Sequence, residues 1–451
     1  MLVPSARLIS FAAIVLVPFA LVMAVAPSSS TLAAAGILGF VLVAIIDAGS
    51  GAGRLRDLEV SFPATVRLTK DRAGQAELVL KWTASVPRRL RLGLAWPKEF
   101  GSQQEEMEVQ LPEKTERATL RWPVTPLMRG SFGLGECFVE ALSPLGLWSM
   151  RTRRPIRCEL RVYPNLQSDR KSVAAVFLNR GSHGSHVIRA MGKGRDFEKL
   201  RDYLPGDGMD EIHWKATAKR GRPVTKVFQV ERTQEVYAIV DASRLTARTE
   251  TIPTGAAGEA VRIETHLERF VNAALILGLA AEQQGDHFGL ITFSDRVHKF
   301  VRARNGAQHF NVCRDALYTL QPRSVSPDFD ELTGSIRLRL RKRSLLVFLT
   351  ALDDPVLAEG FLKNIELLAR QHLVIVTMIV PPEVRPLFSD DAVATIDGIY
   401  RDLGNHVRWQ KLREIEKQLG QRGVRFAAVA NGDLVARVVS NYAGIKQRQL
   451  L

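Results

Sequence analysis

Residues 235–245 read EVYAIVDASRL, and this stretch decides the fold. Val236, Tyr237, Ala238, Ile239 and Val240 form an unbroken apolar run, followed at once by Asp241 and Ser243. A strand that faces solvent on one side alternates, whereas one apolar on both sides belongs inside a covered parallel sheet. Downstream, Leu267, Phe270, Val271, Ala274, Leu275 and Leu279 recur at helical spacing over 264–284. Further strands are expected at 287–293 (HFGLITF), 296–301, 344–350 (SLLVFLT), 373–380 and 424–430. Helices are expected at 311–320, 328–341, 356–370 and around 396–420, with a terminal helix beginning near Asn431, whose side chain can cap it. Apolar strands alternating with helices imply a doubly wound α/β domain over 235–451.

Residues 55–165 read differently. Val60, Phe62, Val66 and Leu68 alternate, and 76–82 (AELVLKW), 90–96 (LRLGLAW), 118–122 and 138–141 are short strand-like runs separated by prolines. This pattern suggests an all-β, immunoglobulin-like sandwich, with Trp82, Trp96 and Trp122 as core or edge residues.

At the N-terminus, residues 8–26 and 32–46 are apolar and uncharged, with Pro27 and three serines between them. The first is long enough to cross a bilayer and the second is near the short limit, so 1–54 is expected to be a transmembrane helical hairpin. A cleaved signal peptide is the rival reading, opposed by Pro27 directly after the Ala24-Val25-Ala26 run and by the second apolar segment. Arg7 precedes the first span, Arg54 and Arg56 follow the second, and the connecting turn has no charge, which predicts soluble domains on the cytoplasmic side.

The net charge of +15 is spread along the chain, and its densest run, Arg337 to Arg343, reads as a solvated helix end. No zinc-finger spacing or stacking aromatic set accompanies it, so nucleic acid is not an expected partner. Cys137, Cys158 and Cys313 are distant and odd in number, which fits a reducing compartment.

The segment 166–234 joins the two soluble domains. Pro205 and Gly206 suit the centre of a type II turn, Asp207 can cap a following helix, and Trp214 offers a large anchoring surface on that helix. Asp196, Glu198, Arg201, Asp207, Lys215 and Arg220 place charges of both signs close together, a ledge that ion pairs could fix against the next domain. The order Gly194, Asp196, Phe197, Leu200, Arg201, Tyr203, Gly206, Asp207, then Ile212, Trp214, Lys215, Ala218, Lys219, then Glu231, Arg232 before Asp241 and Ser243 resembles the bacterial domain-of-unknown-function-58 family. The layout of hairpin, β domain, signature and α/β domain resembles that family too, with Met209-Asp210-Glu211 replacing the arginine often found shortly after the Gly-Asp pair. The resemblance implies a von Willebrand factor type A-like α/β domain and joint action with a MoxR-type AAA+ ATPase in assembling or maintaining other proteins at the cell envelope.

Ligands of open α/β sheets bind beyond the carboxyl ends of the strands. Type A domains hold a cation such as Mg²⁺ there through an Asp-x-Ser-x-Ser run, a threonine and an aspartate. Here Asp241, Ser243 and Asp353 are the candidate ligands, Leu245 stands in place of the second serine, and the loop at 326–330 has no threonine. Asp328 or Asp330 could substitute. His183 and His186 form a second, poorer metal candidate. The chain has no phosphate-binding glycine loop and no Gly-x-Ser-x-Gly elbow. The expected function is a membrane-anchored, non-enzymatic protein-binding scaffold; a metal-dependent or Ser/His/Asp hydrolase and a surface adhesion receptor are the alternatives.

Overall fold

The computed structural model describes the chain except for residues 26–29, 84–85, 102–104, 113–114, 168, 171–190, 205–207, 230–233, 255–259, 382, 388, 390–394 and 449–451. It divides into two compact units, Met1–Asn165 and Leu166–Leu451.

The N-terminal unit begins with a short strand, β1 (Leu2–Pro4), and two helices, α1 (Ala6–Val25) and α2 (Ser30–Gly51). Both are long and apolar enough to cross a membrane. No residue of α1 is buried, which separates it from a core helix of a soluble domain. The Phe19 ring lies where a Cβ on Gly36 would be, 2.8 Å away, so glycine lets the two helices approach. The second helix runs five residues past the apolar run that ends at Ile46, through Asp47 to Gly51.

Eight strands follow: β2 (Glu59–Ser61), β3 (Thr65–Thr69), β4 (Gly74–Lys81), β5 (Arg89–Leu94), β6 (Glu106–Gln110), β7 (Arg117–Val124), β8 (Gly130–Leu142) and β9 (Trp148–Tyr163). One sheet is ordered β1-β9-β8-β5-β6 with β3 also on β9, and the other is β2-β4-β7. Leu78 and Leu80 of one sheet and Leu92, Val139 and Leu160 of the other belong to a single buried cluster, together with Trp82 and Trp122. The long strand β9 is not evident as an apolar run, because its outward positions are arginines and its centre holds Pro155. Pro155 lies opposite Glu136, beside the register shift between Leu134 and Glu136, the kind of irregularity where a strand tolerates proline.

The C-terminal unit holds the signature hairpin of β10 (Met191–Asp202) and β11 (Val224–Gln229), with α3 (Trp214–Arg220) between them. The large sheet uses β12 (Glu235–Asp241), β15 (His287–Phe293), β16 (Val297–Arg304), β17 (Leu345–Leu349), β18 (Leu373–Ile379) and β19 (Arg425–Val429). A hairpin of β13 (Thr249–Thr254) and β14 (Ala260–Thr265) precedes the helix α4 (His266–Gln283). The other helices are α5 (Ala307–Leu317), α6 (Phe329–Arg339), α7 (Pro355–Ala369), α8 (Ile396–Gln421) and α9 (Leu434–Gln447). The sheet order is β16-β15-β12-β17-β18-β19. Only the edge strand β16 is antiparallel to its neighbour.

The apolar run 236–240 is buried on both faces. Val236, Ala238 and Val240 pack with residues of α4 and α9. Tyr237 and Ile239 pack on the other side with residues of α6, α7 and α8. This is the doubly wound architecture expected from the sequence. Buried polar contacts pin the helices: Tyr442 and Lys446 of α9 donate to the carboxylate of Asp286. Arg269 of α4 pairs with Asp169 at 3.2 Å and donates to the Asn431 carbonyl at 3.1 Å.

The capping expectation for Asn431 fails. The side-chain atoms of Asn431 have no partner among the described residues, and α9 starts only at Leu434 after a 3₁₀ turn. The helix bearing Trp214 begins at Trp214 itself and is capped by His213, whose Nδ1 accepts from the Ala216 N–H at 3.0 Å; Asp207 lies outside the described residues. The β13–β14 hairpin was not anticipated, although its alternating threonines around a glycine-containing centre carry a hairpin signal.

Candidate functional site

Asp241 is the last residue of β12, at the carboxyl edge of the sheet next to β17. It is fully buried. Its Oδ1 accepts the Ser243 N–H at 2.8 Å and its Oδ2 accepts the Thr350 hydroxyl at 2.6 Å. Burial pushes the Asp241 carboxyl above the usual carboxylate range, and these hydrogen bonds oppose that shift. The Ser243 hydroxyl in turn accepts the Leu245 N–H at 3.4 Å.

Asp353 is drawn elsewhere. Its Oδ2 is ion-paired with Arg248, and the neighbouring Asp354 pairs with Arg244 at 3.5 Å. Asp353 Oδ1 is the one side-chain oxygen of the three candidate ligands without a partner among the described residues. Asp328 caps α6 by accepting the Glu331 N–H at 2.9 Å, and Asp330 accepts from Asn364 at 2.6 Å. The threonine that does reach Asp241 is Thr350, at the end of β17. A hard cation wants near-octahedral oxygens. Here two guanidinium groups already hold the carboxylates at the mouth and one oxygen is open, so this arrangement does not fit a divalent ion. Among the described residues no three His, Cys, Asp or Glu side chains gather as a metal-holding group. His183 and His186 lie outside the described residues.

Beyond the ends of β12, β17 and β18, and beside α8, a cleft of about 1070 Å³ is lined by Arg244, Arg248, Asp353, Met378, Arg408 and Leu412, among others. Its floor is apolar and its rim carries both signs of charge.

One Ser/His/Asp cluster does form, at the β15–β16 turn. The Ser294 hydroxyl lies 2.6 Å from Asp295 Oδ1 and 2.7 Å from His298 Nε2. A carboxylate can only accept, so the serine proton points to Asp295 and His298 donates to the serine. A hydrolase needs the reverse, with the serine donating to the imidazole. Cys313 is no better placed as a nucleophile: burial pushes its thiol up to about 12, and the nearby His309 Nε2 lies 2.7 Å from the Phe288 carbonyl, to which it donates.

The described signature residues lie on β10, on α3 and in the turns beside them. Tyr203 N–H donates to the Pro223 carbonyl at 3.0 Å and the Val224 N–H to the Thr217 hydroxyl at 3.0 Å, which closes α3 onto the hairpin. Leu200 and Arg201 lie in β10 opposite Lys226 and Thr225, and Asp196 and Phe197 opposite Gln229 and Phe228. Asp202 pairs with Arg222 at 3.2 Å. Trp214 is 69% exposed, Met209 81% and Leu204 56%, with Tyr203 and Lys215 also exposed. Gly206, Asp207, Glu231 and Arg232 lie outside the described residues.

Residues 199–397 match the family described as "Protein of unknown function DUF58". The match covers 199 of the chain's 451 residues. The matched segment spans the end of β10, α3, β11, the Asp241 network and the Asp353 loop. Two uncharacterized mycobacterial proteins, Rv1480 of Mycobacterium tuberculosis (strain ATCC 25618 / H37Rv) and Mb1516 of Mycobacterium bovis, are each 23% identical over 202 residues, which is 44% of this chain. The match spans 59% of the length of these curated relatives. Among solved structures, BatB from Bacteroides thetaiotaomicron is 14% identical, covers 48% of this chain and 99% of its own, and superposes with a TM-score of 0.31. The SpRpn10 VWA domain is 9% identical, covers 46% of this chain and 95% of its own, with a TM-score of 0.29. An aerotolerance-related membrane protein from Bacteroides fragilis NCTC 9343 is 14% identical, covers 48% of this chain and 97% of its own, with a TM-score of 0.27.

Proposed function

We propose that this protein is a membrane-anchored binding scaffold that offers its DUF58 segment to a protein partner and catalyses no reaction of its own. The observation that carries the reading is that four large side chains on the chain between β10 and β11, Trp214, Met209, Leu204 and Tyr203, are exposed. Large side chains are seldom left in water together unless something covers them, and tryptophan is the residue most enriched among binding hot spots. The Asp241 network supports a metal-independent role for the type A-like domain, because its donors are already satisfied within the protein. In this reading residues 1–54 are the membrane hairpin, 55–165 an immunoglobulin-like spacer, 166–234 the docking segment and 235–451 the body that carries it. The soluble parts face the cytoplasm, as the arginines flanking the spans favour. The partner is a MoxR-type AAA+ ATPase, and the pair serves assembly or upkeep of client proteins at the envelope. The test is to immobilise the full chain in nanodiscs and titrate the purified MoxR-type ATPase encoded nearest to it. Saturable binding that survives a divalent-metal chelator supports the reading; no binding with or without nucleotide sinks it.

A further inference from the structure

The two membrane-length helices are not joined to the β sheets by a slack linker. Both ends of the pair close on one feature, the turn Ser143–Trp148 between β8 and β9. Ser5, just before α1, donates its N–H to the Leu147 carbonyl at 3.0 Å and its hydroxyl to the Gly146 carbonyl at 2.7 Å. Asp47, in the last turns of α2, accepts the Leu145 N–H at 2.9 Å, the Leu147 N–H at 3.2 Å and the Ser143 hydroxyl. The Trp148 indole donates to the Ala44 carbonyl at 2.8 Å. Gly146 has a φ of +76°, and Arg7 packs where its Cβ would be.

These contacts fix the depth of the turn. A helix of 20 residues, such as α1, is roughly 30 Å long, the thickness of the hydrocarbon layer. Ser5 therefore marks one edge of that layer. Asp47 is the first charge after the apolar run of α2 and lies roughly 6 Å from the helix end at Gly51. A turn bonded to both residues stands at the same edge. Its free surface suits that place. Leu145 is 58% exposed and Leu142 47%, and Phe138 lies farther along the same strand face with the Arg153 guanidinium over its ring at 5.4 Å. Arg7, which packs on Gly146, is also exposed, as is Arg151 on the adjoining strand, where it pairs with Glu140 at 3.3 Å. Apolar tips with an arginine beside them complement an anionic headgroup layer.

We infer that the β8–β9 turn is a third membrane-contacting element, with Leu145 and Leu142 seated among lipid headgroups, so that the β sheets are held at a fixed attitude to the bilayer. This rests on the reading that α1 and α2 span the membrane, and the experiment separates the two. The full chain is placed in nanodiscs of zwitterionic and anionic phosphatidyl lipids and nitroxide-labelled at one introduced cysteine at a time: Leu145→Cys, Gly133→Cys or Ile14→Cys. The native cysteines are buried. Gly133 is exposed, accepts a Cβ without contact and lies nine residues back along β8 from Leu142, roughly 30 Å away. The expected result is a ratio of oxygen to water-soluble nickel-chelate accessibility several-fold higher at Leu145 than at Gly133, and highest at Ile14. A Leu145 label as open to the chelate as the Gly133 label, with Ile14 in lipid, overturns the inference alone. An Ile14 label in water overturns both.

Discussion

The Thr350 hydroxyl donates to Asp241 Oδ2 at 2.6 Å, across the junction of the neighbouring strands β12 and β17. With the Ser243 N–H on the other oxygen, it ties the carboxyl edge of the sheet together through hydrogen bonds. Asp241→Ala leaves two buried donors unmatched and is expected to destabilise the α/β unit by about 1–3 kcal/mol. Hydrogen exchange of the β12 amides measures it, and unchanged protection contradicts it.

The same residue gives a pH dependence. Burial raises the Asp241 carboxyl above its ordinary value. The folded chain therefore keeps this proton to higher pH than the unfolded chain does. Stability from this group is greatest at low pH and falls as pH rises from roughly 3.9 through the folded value. Asp241→Asn removes the titration, so the variant should gain on the wild type as pH rises from about 4 to about 7. A difference independent of pH rules this out.

His372 behaves in the opposite sense. It is buried, neither ring nitrogen has a partner among the described residues, and burial holds its pKa below the usual imidazole range. The unfolded chain binds the proton first, so stability is lost as pH falls below roughly 6.5. His372→Leu should stabilise the unit, and by more at acidic pH than at alkaline pH. Thermal melts at the two extremes decide this; a destabilised variant refutes it.

The buried pair Arg269 and Asp169 gives a further check. Asp169→Ala strands a guanidinium with little access to solvent and is expected to cost about 3–5 kcal/mol. Removing both charges with Asp169→Ala and Arg269→Met should cost less than the single change. Equal or greater loss in the double variant contradicts the account.

Much of this structure is legible in the sequence wherever burial is two-sided. The runs at 235–240, 287–293, 344–350 and 373–380 have one reading, because no solvent-facing strand tolerates so many consecutive apolar residues. Strand β9 is not legible, because its exposed face and its proline hide a ladder that shows only in its pairing with β1, β3 and β8. Asp47 extends α2 beyond its apolar run because its partners lie about a hundred residues downstream, a contact that no local pattern encodes. At the candidate site, Asp241 and Ser243 are evident from their place after a buried strand. The fate of Asp353 is not, since its arginine partner sits on a different loop.

That pairing predicts how the site answers metal. Calorimetric titration of Mg²⁺ into the full chain should give no saturable heat for the wild type. Arg248→Ala frees the Asp353 carboxylate and should raise the apparent Mg²⁺ affinity. A wild-type site that saturates, and is lost in Asp241→Ala, would show that the arginines yield to the ion.

The central claim is that the exposed side chains between β10 and β11 bind a protein partner, and Trp214 tests it most directly. Trp214 is 69% exposed, so Trp214→Ala should leave the melting temperature unchanged. The measurement is the dissociation constant of the MoxR-type ATPase for the nanodisc-held full chain, wild type against Trp214→Ala. The account predicts a loss of about 2 kcal/mol, roughly 30-fold in affinity. Equal affinity for the two proteins, with binding intact, would contradict it.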